Sequence, residues 1–198
     1  MSPVRNKATG IWPLALLLAC APLALDAADL EPREYLDPET AATVTVVGAP
    51  LVFANPRPDL AANARDYVTV AAAAVDRSGK VSYVLIAYFW STIDPRVHTD
   101  PLPNPEPLIL QADDRRIELD LRGHSAYDAG IGVPVHAPPG SKVMPNVYGI
   151  DLGTLRSIAE SRQLSLVTET AVTSITYGLW EDQRAALRAF VQHMGGGT

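Results

Sequence analysis

The chain has 198 residues, 16 of them basic and 22 acidic, for a formal net charge of -6. That length suits one domain with a sizeable core, and the acidic balance argues against general nucleic-acid binding or a polybasic membrane patch. A single cysteine excludes an internal disulfide and a cysteine-rich zinc cluster.

The chain opens with a short positive segment, Arg5 and Lys7, placed before any acidic residue. An apolar run from Ile11 through Ala19 follows, centred on Leu14, Leu16, Leu17 and Leu18, and it ends at Cys20. A positive start and a short apolar stretch have the form of a secretory signal. The run falls short of the ~20 apolar residues that a membrane span needs. Pro13 and Pro22 would also interrupt a spanning helix.

The residues Leu17-Leu18-Ala19-Cys20 resemble the lipobox of bacterial lipoprotein precursors, a resemblance confined to the first 20 residues. It implies that residues 1–19 are removed as a signal peptide and that Cys20 receives diacylglyceryl on sulfur. The new amino group would then often be acylated as well, palmitate being the expected kind of acyl chain. A thiol at the end of an apolar segment sits at the bilayer surface, where a lipid donor and a membrane enzyme can reach it. In Gram-negative lipoproteins, Asp just after the Cys favours inner-membrane retention. Ala21 in that place implies sorting to the outer membrane, facing the periplasm. The alternative is an ordinary signal cut near Ala27 or Ala28, giving a secreted or periplasmic soluble product. That site would put Leu25 or Asp26 three residues before the cut, where a small residue is wanted. Processing at Cys20 takes away Arg5 and Lys7, so the remaining 179 residues hold 14 basic and 22 acidic side chains, a net of -8.

Residues 20–42 read as lipid anchor and tether, rich in Asp, Glu, Pro and Ala. Within them Asp37-Pro38-Glu39 can start one short turn, with Asp37 as N-cap. Residues 43–194 read as one globular domain, and 195–198 as a Gly-rich tail. Thr43 to Val47 and Leu51 to Ala54 are short strands parted by Gly48 and Pro50. Tyr67 to Val75 and Lys80 to Trp90 form the strongest pair, joined through Asp76-Arg77-Ser78-Gly79 as a type I turn. Both faces of that pair are apolar, which predicts central strands covered on both sides.

The segment Pro95 to Pro107 carries five prolines and cannot be a central strand. A second hairpin runs from Leu108 to Leu110, turns at Asp113-Asp114 and returns as Arg116 to Leu121. Ile117, Leu119 and Leu121 face one way, while Arg116, Glu118 and Asp120 face the other, so one side is wet. After a Gly- and Pro-rich loop, 122–145, Asn146 to Gly149 can extend a strand and Asp151 can cap a helix with Leu152, Leu155, Ile158 and Ala159 buried. Leu164 to Thr168 and Val172 to Tyr177 make a third hairpin. A last helix from about Glu181 buries Leu187, Phe190, Val191 and Met194 and ends at Gly195-Gly196-Gly197. The sum is an α+β fold: an antiparallel sheet or small β-sandwich with two C-terminal helices packed on it.

The chemistry is sparse. Gly123-His124-Ser125-Ala126-Tyr127 sets a Ser beside a His but is no nucleophile elbow, because Tyr127 stands where a second Gly belongs. His124, Asp128 and His136, with His98 more distant, could converge on a metal, although their spacing matches no short metal motif. Tyr88-Phe89-Trp90 either fills the core of a central strand or floors a groove for a peptide or sugar beside the proline-rich loop. Trp90, His98, His124, Asp128 and His136 are therefore the candidate functional face, built from the two long loops. No cofactor fingerprint is present. The reading is a lipid-anchored accessory or binding protein of the cell envelope without identified ligand. It would be held to the membrane by its lipid, with an envelope protein or glycan as partner and no nucleic acid. The alternative is an envelope hydrolase or metal-dependent enzyme using loop 122–145.

Overall fold

The computed structural model describes residues 30–93, 105–138, 143–169 and 173–196. The lipobox with Cys20, and His98, lie outside them. The expected central hairpin runs as β4 (Arg65–Arg77) and β5 (Lys80–Ser91), paired from Asp66↔Ser91 to Arg77↔Lys80. Its turn is tighter than the type I connection expected. Ser78 and Gly79 alone fall between the last paired residues, with φ of 57° and 82°. Positive φ at both central residues is the type I′ geometry, whose twist matches that of the strands it joins. Asp76 Oδ1 accepts the Gly79 amide at 2.7 Å and anchors the turn.

Around this hairpin lie β1 (Arg33–Leu36), β2 (Thr43–Val46), β3 (Leu51–Pro56), β6 (Leu108–Ala112), β7 (Arg115–Leu119) and β8 (Leu121–Gly123). β9 (Asn146–Ile150), β10 (Leu164–Glu169) and β11 (Ser174–Glu181) complete the sheet. The order is β7-β6-β10-β11-β3-β4-β5-β9-β8, and every pairing is antiparallel. β2 pairs the far half of β4, and β1 pairs β2. The two ends of that order, β7 and β8, are consecutive in the chain with Asp120 alone between them. The sheet edges therefore come together, and strand twist curls the sheet into a nearly closed barrel rather than a sandwich. The α+β expectation holds with this correction: an antiparallel sheet, barrel-like, with two helices.

Inside the barrel, Leu51 and Phe53, Val68 and Val70, Leu85 and Phe89 alternate inward along β3, β4 and β5. Phe89 meets Tyr177 of β11 edge to face, ring centroids 6.5 Å apart. Two helices, α1 (Leu152–Glu160) and α2 (Arg184–Gly195), set Leu155, Ile158 and Leu187 against this interior. α1 starts where Asp151 accepts the Thr154 amide at 2.8 Å, as its N-cap position required. α2 begins three residues later than expected, because β11 runs on through Glu181. Ile117 and Leu119 point inward and are buried, whereas Arg116 and Glu118 are exposed. That is the reverse of a lipid-facing barrel, whose apolar band lies outside. No described helix is long and apolar enough to cross a membrane.

The tether was expected to extend to Ala42, but its last ten residues belong to the fold. β1 pairs β2 from Arg33↔Val46 to Leu36↔Thr43, and Ala42 is buried. Charged Arg33 and Glu34 hide this strand from a hydrophobicity reading; backbone pairing and Tyr35, packed against the core, supply what alternation does not. Asp37 caps a turn, as read, but from a fully enclosed position. Its Oδ1 accepts the Glu39 and Thr40 amides at 2.9 and 3.0 Å.

Residues 124–138 cover the outer face of β4, β5 and β2. Ala126, Ile131 and Val135 pack there in one core with Val44 and Tyr88. Three contacts fasten the segment. Gly132 N–H donates to Asp37 Oδ2 at 2.8 Å, Thr40 Oγ1 donates to the Gly130 carbonyl at 2.7 Å, and His136 Nε2 donates to the Val47 carbonyl at 2.7 Å. Gly132 is required by close approach: a Cβ there would stand 2.9 Å from Asp37 Oδ1.

Candidate functional site

Past the end of this covering segment, the outer face of the sheet is left open by the described residues. Tyr67 of β4 and Trp90 of β5 are direct cross-strand neighbours. Their rings stack with centroids 4.4 Å apart and planes 13° from parallel. The Trp90 indole N–H donates to Thr69 Oγ1 at 3.0 Å, which fixes the ring's rotation. Thr69 and its partner Val52 on β3 are small buried residues beside these large ones, so the surface dips between them. Trp180 of β11 stands on the far side, edge to face with Tyr67 at 6.2 Å and 77°. The Arg65 guanidinium lies over the Trp180 ring, 4.7 Å from its centroid. The result is an open groove of about 440 Å³, with Pro50, His136 and Pro138 along one wall.

A local irregularity brings Glu181 beside Trp180 at the same groove. In a regular strand, successive side chains point to opposite faces. Between Leu179 and Glu181 the register against β3 shifts: Leu179 pairs Phe53, and Glu181 pairs the very next residue, Val52. Trp180 points outward by alternation from Leu179; the bulge leaves it as the extra residue and turns Glu181 outward beside it, the kind of re-aiming for which bulges are used. Trp180 is 52% exposed, an unusual fate for the largest apolar side chain.

Two residues of the expected functional face, Trp90 and His136, meet here. Tyr88 and Phe89, by contrast, are core side chains, 1% and 3% exposed. His136 adopts φ 50°, a left-handed conformation that non-glycine residues seldom take and that clusters at functional sites. Its Nε2 carries the hydrogen that bonds the Val47 carbonyl, so Nδ1 is the ring's remaining polar atom.

His124 and Asp128 serve elsewhere. The His124 Nδ1 meets Asn146 Oδ1 at 2.9 Å, and its Nε2 stands 3.8 Å from Glu106. Asp128 Oδ2 accepts the Ser125 amide at 3.0 Å, while Ser125 Oγ accepts the Tyr127 amide at 3.1 Å. Together they cap the short 3₁₀ turn Ala126–Ala129. Ser125 and Asp128 thus share one capping box, while His124 bonds Asn146 instead of either. Among the described residues, no three His, Cys, Asp or Glu side chains are placed to hold a metal ion.

Sequence reading missed Tyr67, Thr69, Trp180 and Glu181. Tyr67 and Thr69 share Trp90's face by simple alternation once the β4–β5 register is drawn, so that signal was available. Trp180 depends on the β11–β3 pairing and Glu181 on the bulge as well, and the chain carries no local mark of either. Comparison with protein-family models, curated proteins and solved structures found no significant match.

Proposed function

We propose that this chain is a lipid-anchored accessory or binding protein of the bacterial envelope, and that the Tyr67–Trp90–Trp180 groove is its ligand-binding face. Lipid on Cys20 would hold it at the membrane, and Ala21 favours the outer membrane with the domain in the periplasm. The observation that supports binding is preorganisation. Three aromatic rings from three strands are locked by a stack, an indole hydrogen bond and a cation–π contact, yet they remain open to solvent. Exposed aromatic side chains with fixed rotamers bind at low entropic cost, which is why Trp and Tyr dominate binding hot spots. The groove's volume lies within the ~300–1,000 Å³ typical of ligand sites.

The test is retention of material from solubilised envelope by the full chain and by its Trp180→Ala variant. A component retained by the first and lost by the second is expected. Identical recoveries would remove the groove from the function.

A further inference from the structure

We propose that the groove binds a neutral glycan, taking the C–H face of a pyranose ring against its aromatic rings and the ring hydroxyls on its polar wall. This rests on the binding function proposed above and names the ligand class.

The groove presents two chemistries together. Its floor and one side are aromatic, from Tyr67, Trp90 and Trp180. Its polar atoms include both acceptors and donors, for the Tyr67 hydroxyl and the Trp180 indole N–H stand with the Glu181 carboxylate and His136 Nδ1. Glu181, exposed at the rim, has only carboxylate oxygens to offer. The His136 Nε2 hydrogen is committed to the Val47 carbonyl. The Trp90 N–H is committed to Thr69 Oγ1. A fitting ligand therefore has a flat apolar face and an edge that both donates and accepts. A pyranose has both: axial hydrogens make one face apolar, and hydroxyls line the edge.

Other ligand classes satisfy half of this description. A proline-rich peptide would fit the aromatic rings and the Tyr67 and Trp180 donors, but proline has no N–H and would leave the Glu181 and His136 acceptors unpaired. A quaternary or primary ammonium would suit three rings and a carboxylate. Here, however, Arg65 already lies over Trp180 and would repel a second cation. A fused aromatic ligand would stack but leave the acceptors unpaired, at a cost. The charge of the whole chain sorts glycans further. With acidic residues in excess, uronate- or phosphate-bearing polymers are disfavoured relative to neutral ones.

The assay follows from where the tryptophans lie. The chain has three, Trp12, Trp90 and Trp180, and Trp12 falls within the expected signal peptide. After processing, intrinsic fluorescence reports on the groove alone. The full chain, processed and solubilised in detergent, is titrated with cellotetraose, chitotetraose and maltotetraose to about 10 mM, enough to show even ~1 mM affinities. A decaproline peptide is titrated in parallel. We expect saturable quenching or a spectral shift with at least one tetrasaccharide, confirmed by calorimetry. Trp180→Ala should weaken it at least tenfold and Glu181→Gln several-fold, both with a near-native unfolding midpoint. Absence of binding by all three tetrasaccharides overturns the proposal. So does saccharide binding that is indifferent to Trp180→Ala. Decaproline binding without saccharide binding would overturn the glycan assignment while leaving the groove as the binding face. Loss of Trp180-dependent retention from envelope would instead sink the broader function.

Discussion

The Tyr67–Trp90 stack allows a quantitative test of whether the groove is preorganised. Consider Tyr67→Ala, Trp90→Ala and the double variant. A fully buried Trp→Ala change costs about 3–5 kcal/mol. Trp90 is only half-buried, so its packing share falls near the lower end or beneath it. Its loss also removes a stack of about 0.5–1.5 kcal/mol and a hydrogen bond of about 0.5–1.5 kcal/mol net. Taking half of the fully buried packing cost, about 1.5–2.5 kcal/mol, together with these two gives about 2.5–5.5 kcal/mol for Trp90→Ala and somewhat less for Tyr67→Ala, which loses no such hydrogen bond. The double variant should cost less than the sum, by a coupling of about 0.5–1.5 kcal/mol. Trp180→Ala is the internal control. It gives up an exposed edge contact and a cation–π contact of about 0.5–1 kcal/mol, so it should cost about 1 kcal/mol or less. Urea unfolding with a common slope measures all four variants. Additivity within ~0.3 kcal/mol for the Tyr67 and Trp90 changes would refute the stack. A Trp180 variant as unstable as the Trp90 variant would refute the view that Trp180 is held for binding rather than for folding.

Four further outcomes are expected. Cys20→Ala should abolish lipid labelling and leave the precursor uncut or released in soluble form; intact mass of the native product decides this, and an unmodified N-terminus near Ala27 or Asp29 would refute lipidation. In membrane fractionation the native product should travel with the outer membrane. Burial pushes the Asp37 carboxyl up, but amide bonds from Gly132, Thr40 and Glu39 outweigh it and hold the group below its ordinary value. Its contribution is thus complete above the unfolded value of about 3.9 and is lost as pH falls through the folded one. Asp37→Asn should lower the urea midpoint at pH 7 and narrow the gap between variant and wild type as pH falls below about 4; a gap that stays constant would contradict the charged latch. Tyr148, fully buried, donates its hydroxyl to the Pro105 carbonyl at 2.9 Å. Tyr148→Phe leaves that carbonyl unpaired and should cost about 1–3 kcal/mol; a loss within measurement error would show that the carbonyl finds another donor.

What the sequence made legible was local. Long apolar runs about a turn located the β4–β5 hairpin, alternation located β6–β7, and Asp151 marked the start of α1 because a cap needs only its own first turn. Closure of the barrel was not legible. It depends on β10 pairing β6, β11 pairing β3 and β9 pairing both β5 and β8, between segments far apart in the chain. Any buried strand with the right alternation could have taken those places. The functional face was half legible for the same reason. Trp90 stood out beside its loop, whereas Trp180 joins it from 90 residues away through the β11–β3 pairing. Of the candidate histidines, His136 lines the groove, whereas His124 stands apart from it with Asp128, because the loop that carries them is not free. In the structure that loop is a fitted cover, and the bonds of His124 and Asp128 belong to its fastening.

Asp37 ties this cover to the point where the fold begins. The chain enters through β1, and the turn after β1 holds the carboxylate that binds Gly132. Four residues beyond Gly132 is His136, whose bond to Val47 places the groove wall. The wall is thus set by three contacts to the segment 37–47, one to a carboxylate and two neutral. β1 itself contributes little apolar burial, since three of its four side chains are exposed. Its retention in the sheet makes physical sense if its work is to deliver Asp37. In the proposed lipid-anchored protein, the same short segment would therefore carry the tether's pull and fix one side of the ligand groove. Tension on the tether would act first on β1, whose four-residue pairing with β2 is among the shortest in the sheet, and through Asp37 on the groove wall, before it reached the barrel core.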